Sequence, residues 1–195
     1  KADADHAVDF YKKAYALNPS SAVIGEQLAE MYFVAQQLGD AIVEAQTVLR
    51  RDPANLAARR LLSRIYIRSL SDQQNNADQS TRASLAIDQL REIMRLDPTD
   101  SESALWLARL YRLTGQDDPA EQTLRTLLAR EADNINGVAQ LAQLLVDHNN
   151  VTEAVPLLEN FLEDTPSGDL YDLLGDAYTR MNNLPRAEQA YRNAV

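Results

Sequence analysis

Apolar residues recur along this chain with helical spacing, and the pattern itself is repeated. Leu28, Leu62, Leu107, Leu141 and Leu174 are each followed by a small residue: Ala29, Ser63, Ala108, Ala142 and Gly175. Three positions further on stand Tyr32, Tyr66, Tyr111, Leu145 and Tyr178, with Met31, Ile65, Leu110, Leu144 and Ala177 beside them. Residues spaced by three and four share one face of an α-helix, so each cluster predicts a helix with a wide apolar face. A second set of helices starts around Ala7, Ala41, Ala86, Ala120, Ala154 and Ala187. Four residues after these come Tyr11, Ala45, Leu90, Leu124, Leu158 and Tyr191, and three later Ala14, Val48, Ile93, Leu127, Phe161 and Ala194. Asn18-Pro19, Asp52-Pro53, Asp97-Pro98 and Thr165-Pro166 then end four of the second helices, because proline biases the residue before it away from helix and donates no amide.

The six alanines are separated by 34, 45, 34, 34 and 33 residues, a period near 34 broken by one insertion and one deletion. A period of this size predicts an array of stacked helical hairpins. One hairpin cannot bury both apolar faces, whereas stacked hairpins can. The small residues at facing positions predict close approach of two backbones, a contact that a bulky side chain would force apart. The frame divides the chain into the second helix of a first repeat (1–21), repeats at 22–55, 56–100, 101–134 and 135–167, and an incomplete sixth at 168–195. The third repeat carries the insertion near 70–82, a polar stretch predicted to form a loop or helix extension at the rim. The unbroken period favours one elongated domain.

These positions resemble the tetratricopeptide repeat family, whose pattern places Trp, Leu-Gly, Tyr, Ala, Phe and Pro at the same offsets. The resemblance covers almost the whole chain. Its main departure is the leading tryptophan, replaced by Gly25, Arg59, Ala104, Val138 and Tyr171. It implies an all-α, right-handed α-α superhelix of about five and a half repeats and eleven helices, acting as a non-catalytic scaffold for protein or peptide partners. Two specialised forms of the family are disfavoured. Co-chaperone members grip a terminal carboxylate with Lys and Asn, where this chain has Glu26, Glu30, Arg60 and Arg64. Glycosyltransferase members carry an asparagine ladder, where this chain has Gln27, Leu61, Trp106, Gln140 and Leu173.

A net charge of -10 with a pI near 4.6 argues against nucleic acid, since phosphate binding needs a basic footprint. No cysteine is present, which excludes disulfides and thiolate-bound metal. The longest apolar run, Met31 to Ala35, is far too short to span a membrane. None of the glycines forms a phosphate loop, so nucleotide hydrolysis is not supported and no cofactor is expected. The two histidines, His6 and His148, read as solvated or dipole-stabilised groups, His148 beside Asp147. Glu26/Glu30 and Asp172/Asp176 are acidic pairs at helical spacing without the loop of a calcium site, so no metal is expected. The absence of polar capping helices predicts a piece of a longer protein with apolar flanks at Lys1 and Val195 that favour self-association.

In such an array the first helices line a concave groove, and one stripe of each faces it. The stripe reads Ala57, Arg60, Arg64 and Arg68 in the third repeat, then Glu102, Leu105, Arg109 and Arg112 in the fourth, with Trp106 alongside. Glu26 and Glu30 precede these cations, and Asp169, Asp172 and Asp176 follow, so the groove is expected to run acidic, basic, acidic. Two readings stand. The arginines could hold carboxylates of an acidic peptide, with Trp106 as anchor. Alternatively, Glu26 and Glu30 neutralise Arg60 and Arg64 on the neighbouring helix, in a lattice of weakly coupled surface pairs. Beyond a peptide-binding scaffold, the chain could be a structural spacer or self-association module, or the regulatory arm of an enzyme lying outside it.

Overall fold

The structure is a computed structural model that describes residues 2–71 and 76–195. It is all-α, with eleven helices among the described residues. They are α1 (Ala2–Leu17), α2 (Ala22–Val34), α3 (Leu38–Arg51), α4 (Leu56–Ser69), α5 (Asn76–Leu96), α6 (Ser101–Leu113), α7 (Asp117–Arg130), α8 (Ile135–Asp147), α9 (Val151–Asp164), α10 (Gly168–Arg180) and α11 (Leu184–Asn193). Their packing forms two compact units, Lys1–Ser103 and Ala104–Val195, each described in turn.

In the first unit α1 packs on α2, α2 on α3, α3 on α4 and α4 on α5, while α2 and α4, both first helices of a hairpin, also lie side by side. Ala41, Ala45 and Ala86 are fully buried at the helix contacts, together with Ala29 and Ser63 from the first helices. Where the tryptophan position holds Gly25, an added Cβ would lie 2.9 Å from Val48 Cγ2, so the missing side chain sets how closely α2 approaches α3. The insertion is helical from Asn76 onward, giving α5 its 21 residues, and residues 72–75 of it lie outside the described residues. Side chains near the start of α5 close the end of α4: Gln79 Nε2 donates to the Leu70 carbonyl and Arg82 Nη1 to that of Ser69.

The second unit repeats this arrangement, with α9 packed on both α8 and α10, and α8 beside α10. Ala108, Ala120, Ala142 and Ala154 are wholly buried in one core with Leu124, Leu145 and Leu158. Gly175 compensates for a large neighbour. Tyr191 occupies the repeat position of Leu124 and Leu158, and a Cβ on Gly175 would fall 2.4 Å from its ring. Large and small residues thus trade places across the helix contact.

The turns inside the hairpins show a regularity that the hydrophobic pattern conceals. Gln36, Gly115, Asn149 and Asn182 hold one repeat position, and all have positive φ, of 66°, 72°, 59° and 57°. At each, the next residue's N–H donates to the carbonyl five back: Gln37 to Tyr32, Gln116 to Tyr111, Asn150 to Leu145 and Asn183 to Tyr178. These are Schellman closures, in which a left-handed residue turns the chain and satisfies the orphan carbonyls of the first helix. Glycine adopts that conformation freely and asparagine tolerates it, whereas glutamine is strained there. The turns between repeats work differently. Asn55, Asp100 and Asn134 each accept a hydrogen bond from the backbone N–H three residues on, namely Ala58, Ser103 and Gly137, capping the next first helix.

Two expectations follow for stability in denaturant titration. Ala120→Leu should destabilise by roughly 1 to 3 kcal/mol through overpacking of the α7 contact. Gln36→Gly should stabilise by up to about 1 kcal/mol and Gly115→Gln should destabilise by a similar amount. Equal and small effects at both turn positions would show that the left-handed turn carries no strain.

Candidate functional site

The six expected groove residues fall into two groups, three in each unit. In the first unit Arg60, Arg64 and Arg68 lie along one face of α4, next to α2. Arg64 Nη1 meets Glu30 at 3.2 Å, and its guanidinium lies over the Phe33 ring, 4.7 Å from the centroid. Arg68 approaches the same ring at 5.6 Å and donates to Gln36 Oε1 at 2.5 Å. Phe33 was missed by sequence reasoning, although it stands seven residues after Glu26 on the same helix face. An aromatic ring beneath an exposed guanidinium contributes about 0.5–1 kcal/mol and holds the cation in one place.

Arg60 takes different partners from those expected. Its Nε donates to Asp100 Oδ2 at 2.9 Å and its Nη2 to Asp97 Oδ2 at 3.1 Å, not to Glu26. Glu26 instead accepts from Asn55 Nδ2 at 2.5 Å, so it braces the cap of α4. The physical reason is position: Arg60 lies in the first turns of α4 and reaches the polar turn that follows α5. Asp97 accepts from both the hydroxyl and the backbone N–H of Thr99, and these bonds, with Arg60 after them, hold its carboxyl below the ordinary carboxylate range. A carboxyl depressed in the folded state adds stability above its unfolded value of about 3.9, lost as pH falls through the lower folded value.

In the second unit Trp106 is half-buried on α6 and Arg109 stacks on it, guanidinium 5.3 Å from the ring. Arg109 is exposed and has no ion pair with any described residue. Arg112 donates to Asp147 Oδ2 at 2.7 Å, and Gln143 Nε2 to the other oxygen of that carboxylate. Asp147 is therefore the partner of Arg112, while its chain neighbour His148 sits 3.0 Å from Asp117 at the start of α7. Farther along, Asp169, Asp172 and Asp176 are exposed on α10, and Asp176 accepts from the Tyr191 hydroxyl at 2.8 Å. Among the described residues no three His, Asp or Glu side chains converge as metal ligands would. No described helix is long and apolar enough to cross a membrane.

A family profile described as tetratricopeptide repeat-like domain matches residues 57–195. The chain belongs to the tetratricopeptide repeat family. Among solved structures of that family, YrrB, a tetratricopeptide repeat protein with an unusual peptide-binding site, superposes with a TM-score of 0.76 at 16% identity, covering 96% of this chain and 92% of that one. MamA gives 0.74 at 18% identity, with 89% of each chain covered. Tetratricopeptide repeat protein 21A of Mus musculus is 33% identical over 103 residues, 52% of this chain, and the match spans 8% of that relative's length. Repeat proteins of this family serve in general as scaffolds for protein interactions.

The Asp97 arrangement yields a direct test. In NMR titrations Thr99→Val should raise the Asp97 pKa more than Arg60→Ala does, since the hydroxyl bond outweighs the exposed cation. The opposite order would make Arg60 the dominant influence.

Proposed function

We propose that the chain is a non-catalytic interaction module whose first helices bind carboxylate-bearing segments of a protein or peptide partner. The observation that carries this reading is the Trp106–Arg109 pair: an exposed guanidinium, fixed on an aromatic ring and without an acidic partner among the described residues, in a protein of net charge -10. Guanidinium pairs bidentately with carboxylate, and a half-buried tryptophan supplies the apolar contact that typically anchors an interface. Arg64 and Arg68 on Phe33 offer a like arrangement in the first unit, where an incoming carboxylate would compete with Glu30 for Arg64. Arg60 and Arg112 are the lesser contributors, each already bonded to aspartate.

A second reading, a structural spacer or self-association module, is favoured by two features. The pairs Arg64–Glu30 and Arg112–Asp147 join neighbouring helices and read as lattice contacts. Leu184 and Tyr191 of α11 are 61% and 37% exposed, although Val151 and Leu158 at the matching positions of α9 are buried.

Arg64→Ala combined with Arg109→Ala separates these readings. On the peptide reading, affinity for a fluorescent poly-glutamate peptide falls strongly, each lost charge-assisted bond being worth roughly 1.5 to 3 kcal/mol, and wild-type affinity falls with added salt. Melting temperature stays close to wild type. Unchanged peptide affinity together with a lowered melting temperature would overturn the proposal in favour of the lattice.

A further inference from the structure

The second-helix side of unit two carries two grooves that the first-helix arginines do not touch. One, of about 490 Å³, is lined by Leu162, Tyr171 and Asn193 among others, from α9, α10 and α11. The other, of about 440 Å³, is lined at matching positions by Leu128, Val138 and Asn160, from α7, α8 and α9. The matching of these three pairs makes them a single feature that occurs twice, one repeat apart, with α9 as the ridge between.

The second groove is mainly apolar, with Leu128, Val138, Leu157 and Phe161, whereas the first sets Leu162, Leu174 and Ala190 among polar side chains; both carry acid. Glu163 lines the first, Asp133 and Asp164 the second, and all three are exposed. None of the three carboxylates has a hydrogen bond or ion pair with another described residue. The one cation in either lining, Arg186, is already held by Glu159 and by the Tyr178 hydroxyl, to which it donates at 3.1 Å. Apolar patches edged by carboxylates that pair with no described side chain complement a partner that is apolar and cationic.

We propose that this face docks an amphipathic helix with a basic polar side. Two apolar side chains enter the two grooves, and flanking Lys or Arg meet Glu163, Asp133 and Asp164. The separation follows from α9, whose width of about 10 Å lies between the grooves; two helical turns, or seven residues, advance a partner helix by about 10.5 Å. Apolar anchors at positions i and i+7 therefore reach both, a form of helix-in-groove recognition. The site is independent of Arg64 and Arg109, so its failure and theirs are separately readable.

The test is fluorescence anisotropy with a labelled leucine–lysine helical peptide whose leucines lie seven apart. Glu163→Lys with Asp164→Lys should weaken binding roughly tenfold. Asp169→Lys with Asp172→Lys, the same charge change on α10, should weaken it less than about twofold. Glu163→Gln with Asp164→Asn, which avoids introducing repulsion, should give a smaller but measurable loss, with circular dichroism confirming the helical fold of every variant. Replacing the two leucines of the peptide by alanine should abolish the difference between wild type and the Glu163/Asp164 variants. No binding to wild type, equal weakening by both lysine pairs, or no dependence on the leucines would overturn the proposal.

Discussion

Everything in this chain depends on how closely two helix backbones can approach. The alanine at the start of each second helix is wholly buried at Ala41, Ala86, Ala120 and Ala154, and the small first-helix residues Ala29, Ala108 and Ala142 are buried as well. A methyl group at that contact fills the space without wedging the helices apart, and the larger leucines around it then interdigitate at interior density. Gly175 and Tyr191 show the constraint from the other side: when the second helix brings a ring, the first helix gives up its Cβ. Close contact repeated every hairpin leaves the outward positions free of packing duties, and there the charges collect.

Those charges are arranged by helix adjacency more than by chain proximity. Glu30 on α2 reaches Arg64 on the following first helix, and Asp147 on α8 reaches Arg112 on the preceding one. Surface pairs of this kind contribute about 0–1 kcal/mol each. Their larger effect is on availability: a cation held by aspartate must be released before it can bind a ligand, whereas Arg109, resting on Trp106, is already placed and pairs with no described acid. The distinction among the five arginines is therefore one of partners, not of residue type.

The family relationship fixes the architecture and leaves recognition open. Solved structures at 16% and 18% identity share the backbone arrangement. A shared fold does not by itself fix a partner, because function resides in the particular side chains of a site.

By itself the sequence determined the all-α fold and its helices, because a period of 3.6 inside a period near 34 is a local and redundant signal. It also placed Arg60, Arg64 and Arg68 on one face of α4, since that depends only on helical geometry. What lay across each helix contact was decided by the tertiary structure. Arg60 binds Asp97 and Asp100 rather than Glu26, and His148 lies against Asp117 rather than its neighbour Asp147. The left-handed turn at Gln36 was equally hidden, because glutamine carries no signal for positive φ and only the repeat position shared with Gly115 reveals it. The two grooves beside α9 are the furthest from the sequence: they arise from three consecutive helices meeting at once, and no local pattern records the space left between their side chains.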